Sequence, residues 1–416
     1  MRAVGLITEY NPFHNGHLHH LRESLTQADA QVSVAVMSGH FLQRGEAALF
    51  DKWRRTELAL AAGVDLVLEL PFPWACNSAP HFAKGAIQAL NGLGGVTALC
   101  FGSECGQLEP LRNCANLLRE QSAVITEQTG ELLRRGVSYP AARSQVVGTL
   151  ADDPDVVEML AQPNNILGIE YLRALEETGS SLRPLTIRRI GAGYHDQQVV
   201  EGIASATGIR QRLRQGESVD SLMPQAAAEL LSEWMESNFS TDEEHLLRMV
   251  LARINQGVDS LVSLYQISDG LENRLQEMAD MALSYEDLVS QVKSRQLTRT
   301  RIQRALCYLI NDVKTGQMNR FLKNGPLYIH LLGCSSAGEK FLAYCRNKTT
   351  IPIVGNYSRI YVLLKKFYGA DSRQYRIAHE LLDLELKATR NYTLLMGNWQ
   401  GGNRNRDFFE ELRRVN

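Results

Sequence analysis

The chain has 416 residues, with 44 lysines and arginines against 46 aspartates and glutamates, and 44% of its residues are hydrophobic. This length predicts two or three domains, and the composition is that of a folded protein rather than a disordered or fibrous one. The net charge of −2 excludes a globally basic nucleic-acid-binding protein, so a nucleic-acid partner would need a local basic patch.

The hydrophobic runs and the cysteines indicate neither a membrane protein nor a secreted one. No apolar run reaches the roughly 18 residues that cross a bilayer. The N-terminal segment MRAVGLITEYNPFHNGH becomes polar too early for a signal peptide. The seven cysteines form no Cys-x-x-Cys pair, which predicts reduced thiols and gives no zinc signature. We therefore expect a soluble cytoplasmic protein with no metal site of its own.

The first half of the chain alternates short apolar runs with helical patterns. The runs lie at residues 3–7, 32–37, 65–70, 97–101 and 185–190. Buried strands that alternate with helices are typical of a parallel sheet covered on both faces. The sequence therefore predicts a Rossmann-like α/β domain over residues 1–212, with the carboxyl ends of its strands and its ligand at one edge.

Beyond residue 212 the helical periodicity dominates, for example at residues 226–235, 243–254 and 271–281. Two apolar runs near the end, at 327–332 and 351–354, flank a helical stretch. We therefore predict a mainly α-helical region over residues 213–416, with a small α/β element at 327–354.

The sharpest local pattern is His-x-Gly-His at residues 14–17, between the first strand and the first helix. Gly16 lets the backbone pass close to a nucleotide, and the N-terminus of the following helix favours phosphate. His14 and His17 can face the same α-phosphate and stabilise the charge that develops on it, so they are the candidate catalytic residues. Alternatively, two histidines beside a glycine can merely cap a turn.

A second pattern reads ASATGIR at residues 204–210. It closely resembles the Ser-Ser-Thr-x-Ile-Arg segment of the His-x-Gly-His nucleotidyltransferase superfamily, whose hydroxyls and helix N-terminus hold the β- and γ-phosphates. The resemblance implies that Ser205, Thr207 and Arg210 bind the pyrophosphate that leaves. A helix capped by Ser205 or Thr207 would explain the same residues equally well if seen alone.

Seven longer strings occur in one order: EYNPFHNGHLHHL, MSGHFLQRGEAALFDKW, GVDLVLELPF, FGSE, PNNILGIEYLRAL, RRIGAGYHD and IASATGIR. Through them the sequence resembles the bacterial tRNA(Met) cytidine acetate ligase family, over residues 1–212 and more loosely beyond. The resemblance implies that ATP, with Mg²⁺, activates acetate as acetyl-adenylate and releases pyrophosphate. The acetyl group then passes to N4 of the wobble cytidine of elongator tRNA(Met).

The same resemblance places ATP against residues 7–20 and against Gly102, Asn164 and Arg189. The segment consists of Ile7, Thr8, Glu9, Tyr10, Asn11, Pro12, Phe13, His14, Asn15, Gly16, His17, Leu18, His19 and His20. Gly102 ends a predicted strand and leaves room for the nucleoside, and Arg189 offers a planar donor fork to phosphate.

Two neighbouring pairs in this set remain open. Asn164 can instead cap the helix that follows Pro163, and the sequence does not choose between Asn164 and Asn165. In a regular strand only one of Arg188 and Arg189 can face the site.

The loop at residues 38–44 leaves a neighbouring strand at the same sheet edge. We predict that Ser38, Gly39 and Phe41 form the acetate pocket there. Alternatively, this is a glycine-flanked surface loop in which Arg44 pairs with Glu46.

Residues 293–323 contain eight basic residues against one acid, Asp312. Because phosphate contacts supply most of the sequence-independent affinity for nucleic acid, this segment is the predicted tRNA footprint. The assigned contacts are Lys293, Arg295, Arg299, Arg301 and Arg304. Alternatively, the charges form a solvated helix face.

Two other functions compete with the ligase. A small-molecule adenylyltransferase would use the same phosphate residues but would leave the last two hundred residues without a role. A nucleotide-sensing RNA-binding protein without catalysis is less consistent with intact His14, His17, Ser205 and Thr207. The sequence does not determine the oligomeric state.

Overall fold

A computed structural model describes residues 1–152, 154–190, 203–401 and 404–415. Residues 191–202, which complete the RRIGAGYHD string, lie outside the described residues. The strands of the described chain are β1 (Ala3–Thr8), β2 (Val32–Ser38), β3 (Leu66–Leu70), β4 (Ala98–Ser103), β5 (Arg183–Arg188), β6 (Ile329–Ser335), β7 (Ile353–Val354) and β8 (Arg413–Val415).

The helices up to residue 254 are α1 (Asn15–Ala28), α2 (Lys52–Ala61), α3 (Phe72–Ala75), α4 (Ala79–Leu93), α5 (Leu108–Glu120), α6 (Ser122–Arg134), α7 (Tyr139–Ala151), α8 (Pro154–Ala161), α9 (Pro163–Glu177), α10 (Ala206–Arg214), α11 (Gln225–Glu236) and α12 (Glu243–Ile254). Those beyond are α13 (Leu271–Ala279), α14 (Tyr285–Val292), α15 (Arg299–Ile310), α16 (Thr315–Asn324), α17 (Ser336–Cys345), α18 (Ile360–Tyr368), α19 (Arg373–Leu395) and α20 (Arg406–Phe409). Short 3₁₀ turns lie at Asp220–Leu222, Val258–Ser260, Tyr357–Arg359 and Trp399–Gly401.

The predicted parallel sheet is confirmed. Strand β1 pairs in parallel with β2 and with β4, β2 with β3, and β4 with β5. Every residue of β2, with the sequence VSVAVMS, is buried, as expected for a strand covered on both faces. The carboxyl ends of β1, β2, β4 and β5 therefore meet at one edge, which is where the loops that carry the two phosphate-binding patterns begin.

Strands β6 and β7, with α17 between them, lie within residues 327–354 and continue this first sheet. Strand β6 lies antiparallel beside β3, and β7 and β8 pair in parallel with β6. The sheet order is β5-β4-β1-β2-β3-β6-β7, with β8 also on β6. Without β6, the buried strand β3 would pair only with β2, and its other side would be an open sheet edge. One sheet thus contains strands from both sides of residue 212, and the boundary there remains a prediction.

A buried charge cluster joins α2 and β3 of the N-terminal half to β6 and α20 near the C-terminus. The Nζ atom of Lys52 on α2 lies 2.8 Å from Glu69 on β3 and 2.6 Å from Asp407 on α20. His330 on β6 approaches the same Glu69 carboxylate at 2.5 Å. Burial lowers the pKa of Lys52, but Asp407 and Glu69 raise it by more, so the lysine stays charged.

Glu69, His330 and Asp407 are close enough together to hold a metal ion. The ammonium of Lys52 donates to both carboxylates, and it supplies the positive charge at that point. In the described part of the chain, no helix is both long and apolar enough to cross a membrane. All seven cysteines are free thiols.

Candidate nucleotide-binding site

A cavity of about 460 Å³ opens where β1, β4 and β5 end, and we call it the edge cavity. It brings together most of the predicted ATP-binding residues: Ile7, Thr8, Glu9, Tyr10, Asn11, His14, Gly16, His17, His19, His20, Gly102, Asn164, Arg189, Ser205, Thr207 and Arg210. Its described lining does not include Pro12, Phe13, Asn15 or Leu18. Phe13, for example, is fully buried and packs on Tyr10, with ring centroids 4.7 Å apart.

His14 and His17 fix each other at the start of α1. The backbone N–H of Gly16 donates to Nδ1 of His14 (3.1 Å), and the backbone N–H of His14 donates to Nδ1 of His17 (3.3 Å). This reciprocal capping box brings the two ring centroids to 3.8 Å. The two histidines therefore do cap the start of α1, as the alternative interpretation proposed. The same side chains also line the edge cavity.

The same geometry determines the protonation of the two rings. Burial lowers the pKa of His14 to about 3 and that of His17 well below its ordinary value, with Arg189 adding to both effects. Both imidazoles are therefore neutral at physiological pH. Since each Nδ1 accepts a backbone hydrogen bond, the ring proton is on Nε2. The pair thus supplies two neutral Nε2–H donors.

At two glycines of the edge cavity, a Cβ atom would come close to a neighbouring side chain. A Cβ on Gly16 would lie 2.9 Å from Cε1 of His14, so a larger residue would displace that ring. A Cβ on Gly102 would lie 3.2 Å from the side chain of Arg189. The space at Gly102, predicted for the nucleoside, is thus shared with the stem of Arg189.

The second pattern begins α10 on the same cavity. Ser205 is the N-cap of α10, and its Oγ accepts from the N–H of Gly208 (3.1 Å). Arg210 links the two patterns, since it donates to the carbonyl of Asn11 (3.0 Å) and contacts Glu46 (3.2 Å). The N-termini of α1 and α10 both border the edge cavity, and two such termini favour an anionic ligand.

The structure separates Asn164 from Asn165. Asn165 is 1% exposed, and its Oδ1 accepts from the N–H groups of Glu104 (3.0 Å) and Cys105 (3.2 Å). Asn164 lines the edge cavity, and its Nδ2 donates to Glu104 (2.7 Å). Asn164 does not cap α9, whose N-cap is Gln162.

Both Arg188 and Arg189 line the edge cavity, so the expectation that only one of them faces it is wrong. Strand β5 ends at Arg188, whereas a strand through Ile190 was predicted. Side chains alternate between faces only within the strand, and Arg189 lies beyond it.

The residues predicted for the acetate pocket lie apart from the edge cavity. Its described lining does not include Ser38, Gly39 or Phe41, all three of which are buried. Phe41 is 1% exposed and packs against Phe72 at 5.4 Å. The second half of the loop reaches the cavity through Leu42, Gln43, Arg44 and Glu46.

The predicted tRNA footprint divides into different environments. Arg304 lines the edge cavity and donates to the carbonyl of Gln43 (3.4 Å), so it is not a surface contact alone. Arg299 pairs with Glu286, and Arg301 lies 3.2 Å from Asp269. Lys293 and Arg295 are exposed. A second cavity, of about 490 Å³, adjoins the first at Arg304 and is also lined by Arg301 and Tyr265.

Sequence reasoning missed Arg55 on α2. Its guanidinium is fully buried and donates to backbone carbonyls at the carboxyl ends of β1 and β2, those of Glu9 (2.6 Å), Ser38 (3.0 Å) and Gly39. It therefore holds the ends of two strands at the cavity edge. In the string DKWRR it resembles an ordinary exposed helix arginine, and no local signal distinguishes it.

An apolar wall of the edge cavity was also missed. Phe82 of α4, Phe101 of β4, and Ile166, Leu167 and Tyr171 of α9 form it. The rings of Phe101 and Tyr171 pack with centroids 5.4 Å apart. The string PNNILGIEYLRAL contains three of these residues, so its helical periodicity was the available signal.

Comparison with known proteins gives a consistent result. The profile of the HIGH Nucleotidyl Transferase family matches residues 1–407. The chain is 56% identical over 411 residues to the tRNA(Met) cytidine acetate ligase of Syntrophotalea carbinolica, covering 99% of this chain and 98% of that protein. It is 35% identical over 403 residues to the protein of the same name from Bacillus subtilis, covering 95% and 92%.

Two solved structures of Thermotoga maritima TmcAL share this fold. The apo form has a TM-score of 0.93 and the form bound with alpha-thio ATP a TM-score of 0.91. Each is 33% identical to this chain, and the match covers 100% of both chains.

Proposed function

The chain belongs to the tRNA(Met) cytidine acetate ligases of the HIGH nucleotidyl transferase family, and we propose that it binds ATP in the edge cavity and uses it to acetylate a tRNA. Acetate attacks the α-phosphate, pyrophosphate leaves, and acetyl-adenylate remains. The acetyl group then passes to N4 of the wobble cytidine of elongator tRNA(Met).

One observation carries the phosphate chemistry of this proposal: the paired Nε2–H donors of His14 and His17 beside two helix N-termini. In-line attack on the α-phosphate moves charge onto its oxygens and onto the leaving pyrophosphate. Neutral, fixed N–H donors can stabilise that charge without any reorganisation. In this proposal Ser205, Thr207 and the α10 N-terminus, which border the same cavity, bind the leaving pyrophosphate.

Magnesium would enter with ATP, since the acids that line the cavity are not among the described groups placed closely enough to hold a metal ion. Glu9 accepts from the N–H of Gln43 (2.8 Å), and Glu46 pairs with Arg210. No step of the proposal depends on a protein-bound ion.

Acetate-dependent exchange of labelled pyrophosphate into ATP, measured without tRNA, tests the first half of the reaction. We expect exchange with acetate and none without it. Exchange that needs another acceptor in place of acetate would favour a small-molecule adenylyltransferase. Absence of any exchange, together with tRNA binding, would favour a non-catalytic protein.

The predicted tRNA footprint leads to a charge-reversal prediction. Changing Lys293, Arg295 and Arg301 to Glu should weaken tRNA binding at least tenfold and reduce the slope of log K against log salt by about 2, because fewer counterions are released. Arg304 is left intact because it lines the edge cavity. The measurements are tRNA affinity at several salt concentrations and acetate-dependent exchange, which should persist.

The matched control reverses Lys365, Lys366 and Arg373, which are exposed on and near α18. It imposes the same change in net charge. An equal loss of affinity in this control would show that only the overall charge matters, and the footprint would then be wrong.

The acyl pocket should involve Leu42, the apolar loop residue that does line the edge cavity. One methylene changes binding in an apolar pocket by about 1–3 kcal/mol, so the protein should prefer acetate to propionate. Leu42→Ala should reduce this preference several-fold in kcat/KM. Phe41→Ala is the control: it should destabilise the fold by about 3–5 kcal/mol and leave the preference unchanged. If Phe41→Ala reduced the preference for acetate and Leu42→Ala did not, Phe41 would form the pocket wall and the assignment of Leu42 would be wrong.

A further inference from the structure

We propose that the Glu9 carboxylate is the general base that removes a proton from the N4 amine of the target cytidine. In this proposal the cytosine ring enters the edge cavity between Glu9 and helix α15. This inference rests on the proposed function, and it assigns to the second half-reaction a residue that the phosphate chemistry leaves unused.

The position of Glu9 is defined by one residue of the neighbouring loop. The N–H of Gln43 donates to the Glu9 carboxylate (2.8 Å), and the carbonyl of the same Gln43 accepts from Arg304 (3.4 Å). The backbone of this loop is pressed against α15, since a Cβ on Gly45 would lie 2.2 Å from the backbone nitrogen of Arg304. Gln43 thus connects Glu9 directly to α15, the helix that carries Arg304 and other predicted tRNA contacts.

Arg304 gives independent reason to place RNA on this side. It lines both the edge cavity and the second cavity, where Arg301 and Tyr265 also lie. Its Nε atom is buried without a hydrogen-bond partner among the described residues. An arginine and an aromatic ring at the mouth of a cavity are suited to a phosphate and a splayed-out base.

Four other titratable groups of the cavity are less suited to accept a proton. The Nδ1 atoms of His14 and His17 already accept backbone N–H groups, and their Nε2 atoms carry the ring protons. Glu46 pairs with Arg210. Burial lowers the pKa of His20 to about 4, with Arg189 contributing. Glu9 has only the one backbone donor on its carboxylate among the described contacts.

The surroundings of Glu9 favour proton acceptance by its carboxylate. Burial raises the pKa of Glu9, and Glu46 of the same loop raises it further, while the N–H of Gln43 and the charges of Arg44 and Arg55 oppose this. Tyr171 of α9 faces it from the apolar wall. A carboxylate whose pKa is raised is a better general base than an ordinary surface glutamate.

The step balances with these groups alone. The N4 lone pair attacks the carbonyl carbon of acetyl-adenylate, a C–N bond forms, and the C–O bond to the phosphate breaks with its electrons on AMP. The proton of N4 passes to the Glu9 carboxylate and then to water. Cytosine N4 is a poor nucleophile because its lone pair is delocalised into the ring, and a carboxylate is the usual acceptor for its N–H.

Glu9→Gln tests this assignment, because the amide oxygen can keep the hydrogen bond from Gln43. Wild type and variant receive preformed acetyl-AMP and tRNA, and single-turnover transfer is followed from pH 5 to 9. We expect transfer to fall about 10²-fold or more, and by a much larger factor than acetyl-AMP formation from ATP. In wild type the rate should fall as the pH drops through the raised pKa of Glu9, and in the variant this acidic limb should disappear.

Glu46→Gln is the matched control. It should keep the acidic limb but move it to lower pH, because it removes a negative charge beside Glu9. If the acidic limb of the pH–rate profile persisted in Glu9→Gln, another group of the cavity would be the general base and the proposal would be overturned. Equal losses in both half-reactions would also overturn it. Failure of the proposed function itself would appear separately, as wild-type protein without acetate-dependent exchange.

Discussion

Replacing His17 with alanine should lower the rate of acetyl-adenylate formation about 10²-fold or more. The residue supplies one of two fixed Nε2–H donors, and charge appears on the α-phosphate only as the transition state forms. ATP affinity should change much less, since ground-state contacts are distributed over two helix N-termini. Single-turnover formation of acetyl-AMP at saturating ATP is the measurement.

The protonation state of the pair adds a second readout. Because burial keeps the pKa of both imidazoles far below neutrality, the wild-type adenylation rate should show no histidine titration between pH 6 and 9. His379→Ala, on α19 and outside the edge cavity, is the control and should retain the wild-type rate. A near-normal rate in His17→Ala, or a titration near pH 6.5, would remove the neutral-donor role.

Removing the ammonium of the buried charge cluster should strongly destabilise the protein. Lys52→Ala leaves the Glu69 and Asp407 carboxylates buried without their cation, and breaking a buried pair in this way costs about 3–5 kcal/mol. The free energy of unfolding from urea denaturation is the measurement. Because the cluster joins α2, β3 and α20, we expect a single shifted transition and no separate loss of one region.

Arg248→Ala provides the comparison. This side chain pairs with Glu244 at 2.5 Å, but both groups are more than half exposed, so the loss should stay below about 1 kcal/mol. If Lys52→Ala cost as little, water would be screening the cluster and its role as a clamp would be refuted. Two transitions in urea would instead support independent folding on either side of residue 212.

Local patterns predicted the parts of this protein whose cause is local. The strand runs at 3–7, 32–37, 65–70 and 97–101 were correct to within two residues at each end, because continuous burial on both faces leaves a continuous apolar run. The N-terminal caps at His14 and Ser205 were also readable, since capping depends on a side chain two or three residues from its donor. These features were enough to place the candidate site at the sheet edge where the edge cavity opens.

Features that depend on long-range pairing could not be predicted in this way. The run at 327–332 indicated a strand, but its antiparallel place beside β3 depends on which edge was left open, some 260 residues earlier. Phe41 and Leu42 are buried apolar neighbours in one loop, and only the fold decides that Leu42 also lines the cavity whereas Phe41 packs against Phe72. Arg55 and Arg304 are ordinary helix arginines in sequence.

The sequence by itself therefore determined the chemistry and the edge of the sheet where it occurs: two histidines, a capped second helix and the strands that present them. The tertiary structure alone decided which other groups join them, including Glu9 beside Gln43, Arg304 beyond it, and the Lys52 cluster beneath. The physical reason is that periodicity and capping record how each residue relates to its neighbours in the chain. Which residues meet across the cavity depends instead on how distant elements pack, and no local pattern records that.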